Sequence, residues 1–151
     1  MKISLELIKK LREATSAGVS DCRQALEDAG GNYEKAKKLI MERGLEKAAK
    51  KGGRDTSQGL IESYVHSGRV GVLVELRCET DFVARTDDFK KLAHELSLQV
   101  ASMNPKNVKE LLAGEYIRDA SITIEALVKQ TVAKLGENIT VAKFTRIELG
   151  V

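Results

Sequence analysis

Tryptophan is absent from this chain, proline occurs once, at Pro105, and aromatic residues make up only 4%. A core of large rings is therefore excluded, and aliphatic side chains must carry the packing. With so little proline, long stretches are free to be helical. Cysteine is scarce too: Cys22 and Cys78 cannot build a multi-bridge scaffold, and no Cys or His cluster has metal-ligand spacing. Both thiols read as reduced packing residues, and reduced thiols point to the cytoplasm. No uninterrupted apolar run is long enough for a spanning helix, and the first fourteen residues alternate charge with apolar side chains, unlike a signal peptide. A cytoplasmic location without membrane contact is expected. Neither charge sign dominates, since 25 Lys and Arg against 22 Asp and Glu leave +3. That excess is too small to argue for nucleic acid or an anionic membrane.

What is present is a soluble, globular composition, 42% hydrophobic and 31% charged over 151 residues, enough for one ordinary domain or two small ones. The first 45 residues read as three short helices. Leu7, Ile8, Leu11 and Ala14 recur at helical spacing after Ser4, an expected N-cap, and Ala17-Gly18 closes the turn. Ser20 is the expected cap of a second helix carrying Cys22, Ala25, Leu26 and Ala29, stopped by Gly30-Gly31. Asn32 caps a third, with Tyr33, Ala36, Leu39 and Ile40 inward and Gly44 at its end. Helices this short must pack on one another to persist. Residues 46–58 change character, with basic side chains around Gly52-Gly53, and read as a basic linker.

After Gly59 the apolar period shifts from 3.6 to 2. Leu60 to His66 and Val70 to Glu79 form an expected hairpin around Ser67-Gly68, with Val72, Val74, Leu76 and Cys78 on its buried face. A long helix from Thr86 carries Phe89, Leu92, Ala93, Leu96, Val100 and Met103. Helices over Val108 to Ala113 and after Thr123 follow, and the last run, Asn138 to Leu149, is a strand whose alternation slips near Lys143 and Phe144, predicting a bulge. Residues 59–151 are thus expected to form a three-stranded antiparallel sheet covered by helices, and the whole chain an α+β protein.

Little here supports an enzyme. His66 and His94 stand apart with no nucleophile to serve, and the paired glycines lack the Lys-Ser/Thr of a phosphate loop. Aromatics interleaved with basic residues, needed to stack bases, are missing, so no direct nucleic-acid contact is expected. One segment is odd. In Glu79-Thr80-Asp81-Phe82-Val83-Ala84-Arg85 an acid precedes a large aromatic where one strand ends and a helix has not begun. Either Phe82 plugs the core and Asp81 bonds a turn, or the pair is displayed to a partner from a rigid edge; periodicity does not choose.

Four blocks decide what the chain resembles: LRE-T-AG-DC-QAL from Leu11 to Leu26, GNYEKA from Gly31 to Ala36, HSGRVGVLVEL-CETDFVART-DFK-LAHEL from His66 to Leu96, and AKLGENI with its closing ELG from Ala133 to Gly150. Together they resemble the elongation factor Ts family, exchange factors for the guanine nucleotide of elongation factor Tu. The resemblance implies an N-terminal three-helix module of the ubiquitin-associated (UBA) type over 1–45 and a dimerisation core over 59–151. It implies a protein that breaks no bond and carries no cofactor or metal of its own, because magnesium and GDP belong to the partner. Thr80, Asp81, Phe82 and Val83 would push into the nucleotide domain near that magnesium, and Arg12, Gly18 and Val19 would dock the module. Val19 and Ser20 stand where many relatives have two methionines. With material for a single core, the chain resembles the short form that pairs as a homodimer. A UBA-type adaptor for ubiquitin-like proteins or nascent chains is the rival, and it leaves CETDFVAR unexplained.

Overall fold

Capping side chains set most of the helix starts in the computed structural model, which describes residues 2–151. Ser4 accepts from the Leu7 amide at the start of α1 (Leu5–Thr15), and Asn32 accepts from Lys35 at the start of α3 (Tyr33–Lys50). The intervening α2 (Val19–Asp28) begins two residues earlier than expected: Gly18, not Ser20, is its N-cap, and it offers no side-chain acceptor. Leu11, Cys22, Ala25, Leu26, Ala36 and Ile40 close a small core among the three helices.

The third helix does not stop at Gly44. It runs on to Lys50, so 46–50 is helix where a linker was expected. The reason is tertiary: α3 packs along α7 (Ile124–Leu135) so tightly here that a Cβ on Gly44 would lie 3.2 Å from the Cβ of Ala133. Interior glycine weakens a helix by about 1 kcal/mol, and close packing on α7 offsets that. Beyond the crossing, Ala48 enters the larger core. The turn after it is fastened as well, with the Lys51 Nζ on the Gly136 carbonyl and the Asn138 amide on the Gly52 and Arg54 carbonyls.

The sheet has the order β1-β2-β5, antiparallel throughout, from β1 (Gln58–His66), β2 (Val70–Cys78) and β5 (Ile139–Glu148). Pairing moves from Glu75–Lys143 to Leu76–Val141, which leaves Ala142 as the extra residue of the expected bulge. Gly59 is needed in β1: its φ is +152°, and a Cβ there would sit 2.0 Å from the Leu76 carbonyl oxygen. One face is covered by α5 (Asp87–Met103), capped by Thr86, whose Phe89, Leu92, Leu96 and Val100 meet Val72, Val74, Leu76 and Cys78. Met103, expected on that stripe, is exposed at the helix end. The fold is thus α+β, three helices followed by a three-stranded antiparallel sheet with helices on one side.

Between α6 (Val108–Ala113) and α7 the structure adds a second, two-stranded sheet, β3 (Glu115–Tyr116) with β4 (Asp119–Thr123), in a segment that periodicity left unassigned. It is gripped by two buried polar residues one turn apart on α5. Gln99 donates to the Glu115 carbonyl and accepts from the Ile117 amide, standing in for a neighbouring strand. Glu95 accepts from the Tyr116 hydroxyl at 2.7 Å and from Arg118 Nε at 2.6 Å. Burial opposes the Glu95 charge, but the bonds from Tyr116 and Arg118 prevail and hold its carboxyl below the usual range. Burial and the adjacent carboxylate together push the Tyr116 hydroxyl from 10.0 up to about 12.

A phenol with a raised folded-state pKa stabilises the fold fully below its unfolded pKa, and that contribution is lost as pH rises through the folded value. Tyr116→Phe should therefore lower stability by about 1.5–3 kcal/mol at neutral pH. Between pH 10.0 and about 12 the gap to the native chain should narrow, because the native chain alone has this contribution to lose. Urea unfolding of both proteins across that window checks it; a constant gap would assign the effect to packing.

Candidate functional site

The segment after β2 is a single helical turn, α4 (Asp81–Ala84), and it rules out the reading of Phe82 as a core plug. Ala84 turns inward, whereas Phe82 is 77% exposed and plugs no core. Leaving a phenylalanine side chain in water forgoes roughly 1.5–3 kcal/mol of burial. Asp81, half exposed, pairs with Arg85 one turn on at 2.8 Å. Exposed pairs of this kind contribute little, so the carboxylate stays available. Thr80 is the N-cap, its hydroxyl accepting from the Val83 amide at 3.4 Å.

Thr80 is itself held from across the fold. Its amide donates to Glu137 Oε1 at 2.9 Å and its hydroxyl to Oε2 at 2.7 Å, while Cys78 Sγ donates to its carbonyl at 3.1 Å. In the reverse direction the Asn138 amide donates to Glu79 Oε1 at 2.7 Å. Sequence reasoning attached no role to Glu137 or Asn138. No local signal could have done so, since the Thr80 and Glu137 partners lie 57 positions apart.

Arg12 lies exposed in the last turn of α1, and Gly18 and Val19 form the exposed start of α2. Gly18 has φ −62°, and a Cβ there would meet only Asp21 at an ordinary 3.5 Å, so the backbone does not require glycine. Of the seven expected site residues, Gly18 alone lines the large cleft, about 860 Å³, between the α1–α2 turn and the outer side of α5, where Asp88, Lys91 and Glu95 face it. The two groups thus form separate surface patches.

Among the described residues no group of three His, Cys, Asp or Glu could hold a metal ion, and no helix is long and apolar enough to cross a membrane. His66 bonds Tyr64, and His94 lies near Glu62. Burial raises both thiols above their ordinary pKa, Cys78 further through Glu137, so neither is an activated nucleophile.

Comparison with known proteins adds the family. The family model described as Elongation factor TS matches residues 79–151, which include α4 and both ends of its anchorage. The chain is similar to the Elongation factor Ts of Coprothermobacter proteolyticus, 43% identical over 99% of this chain and 100% of that one. That of Fervidobacterium nodosum is 40% identical at the same coverage, and that of Thermotoga petrophila 41% over 99% and 98%. The first two alignments run over 196 residues against the 151 of this chain, so these relatives carry a stretch that it lacks.

Two phenylalanines separate display from packing. Phe89, fully buried at 0% exposure, should lose roughly 3–5 kcal/mol on truncation to Ala. Phe82→Ala should shift the melting temperature by no more than about 2 °C, as surface changes do. Thermal denaturation of both variants tests the assignment, and equal losses would return Phe82 to the core.

Proposed function

Because this chain belongs to the elongation factor Ts family, we propose that it is the guanine nucleotide exchange factor of elongation factor Tu, binding the GDP-bound partner and promoting GDP release during translation elongation. The observation that carries this reading is Phe82, left in water beside Asp81 on a one-turn helix anchored at Thr80. A rigid apolar ring of this kind gains burial only when a partner receives it.

The mechanism follows from what holds the nucleotide. The partner's magnesium would help to hold the phosphates of GDP, so displacing its ligands would loosen the nucleotide. Phe82 is the wedge that occupies partner space, and Asp81 brings a negative charge towards phosphate oxygens, which repel it. Factor and nucleotide then weaken each other's binding by the same factor. No bond is broken, and this chain needs neither metal nor cofactor of its own. Thr80 and Val83 shape the element, while Arg12, Gly18 and Val19, in a docking module over residues 1–45, supply a second contact. Two contacts on one body raise the effective concentration of each.

Phe82→Ala should fold normally and slow GDP release by at least about tenfold, equal to roughly 1.4 kcal/mol of barrier. Asp81→Ala should slow it less, because a solvated charge is partly screened. Release of a fluorescent GDP analogue from loaded elongation factor Tu measures both, and an unimpaired Phe82→Ala protein would overturn the reading.

A homodimer completes the proposal. Helices cover one face of the sheet, and the other leaves Ile61, Val65, Leu73 and Ile147 exposed. Gly71 lies opposite both Val65 and Ile147, with Leu73 two positions along β2, so these side chains share one patch. A second copy of the same face is the simplest cover. The chain should sediment as a dimer at micromolar concentration and Leu73→Asp as a monomer; a native monomer would exclude this assembly.

A further inference from the structure

We propose that Glu137 is a positioning residue for exchange: acting through Thr80, its carboxylate fixes the one-turn helix in the orientation that presents Phe82. The inference rests on the exchange reading above and adds a residue that does not itself touch the partner.

The geometry is bidentate. Thr80 offers two donors, its amide at 2.9 Å from Oε1 and its hydroxyl at 2.7 Å from Oε2. An ionised carboxylate only accepts, so the hydroxyl must donate to Glu137, and a lone pair is thereby turned towards the Val83 amide. One carboxylate thus sets the backbone direction entering α4 and the polarity of its cap. Cys78 closes the remaining side by donating to the Thr80 carbonyl.

Nothing within α4 could replace this. It has four residues and buries only Ala84, and a lone helical turn is marginal without outside support. Glu137 has a firm base, because its neighbour Asn138 is tied through its own amide to Glu79 and through its side chain to the Gly52 and Arg54 carbonyls. The two ends of the anchorage are therefore reciprocal, residue 137 holding residue 80 and residue 79 holding residue 138.

Two conservative variants separate position from charge. Glu137→Gln keeps length and one acceptor but loses the charge, while Glu137→Asp keeps the charge but falls a methylene short. Amide hydrogen exchange of Thr80 and Val83 in the full chain without partner, and GDP release from loaded elongation factor Tu at varied factor concentration, are the readouts. In Glu137→Ala and Glu137→Asp both amides should exchange at least about tenfold faster. The maximal release rate should fall about tenfold in both, with less than about a threefold change in the half-saturating concentration. Glu137→Gln, which keeps one of the two acceptors, should fall between Glu137→Ala and the native chain in both properties, and Glu137→Ala combined with Thr80→Ala should be no slower than either alone. Slowed release with Thr80 still protected, or full activity in Glu137→Asp with impaired Glu137→Gln, would make Glu137 a direct charge contact and overturn the proposal. So would unimpaired release with both amides unprotected. If Phe82→Ala also releases GDP normally, the exchange reading itself fails; if only the Glu137 variants are normal, the anchorage alone does.

Discussion

The contact between α5 and the inner face of β2 is the one on which the rest of the molecule hangs. Phe89, Leu92, Leu96 and Val100 meet Val72, Val74, Leu76 and Cys78 in an aliphatic seam with a single ring. With no tryptophan to fill volume, close packing of these small side chains carries the core. Other parts are located by what they attach to on this pair. Glu95 and Gln99 of α5 hold the β3–β4 hairpin, Arg146 of β5 satisfies the Ala101 carbonyl near the end of α5, and α4 fills the short gap between β2 and α5.

A second constraint ties the N-terminal helices to that core. Since α3 runs unbroken from the small cluster, through Ala36 and Ile40, to Ala48 in the large one, no flexible tether separates them. The close approach at Gly44 and Ala133 sets the spacing of α3 and α7. For the two contacts proposed above this matters energetically. A stiff connection holds the second contact near its bound position, so less freedom is lost when both engage.

The reciprocal bonds at residues 79–80 and 137–138 do a related job at shorter range. An exposed aromatic is useful to a partner only if its direction is held, and a four-residue helix cannot hold itself. Polar groups are committed there: the backbone N–H and side-chain NH2 of Asn138 and the Thr80 hydroxyl donate to distant carbonyls and carboxylates.

By itself the sequence determined the α+β class, the order of the main elements, the inward faces of α1, α5 and β2, the caps at Ser4 and Asn32, and the helix starts at Thr86 and Thr123. Each depends on side chains within about one turn or on a repeat along one strand, so local spacing carries it. The blocks around CETDFVAR pointed to the family, and the same local order located the odd acid–aromatic pair. Only the tertiary structure decided that Phe82 faces water, that α3 passes through Gly44, that Gly18 caps α2, and that a small hairpin follows α6. It alone brought Glu137 to Thr80. Two of these outcomes depend on a partner dozens of positions away, Ala133 for Gly44 and Glu137 for Thr80, which no local spacing along the chain can reveal.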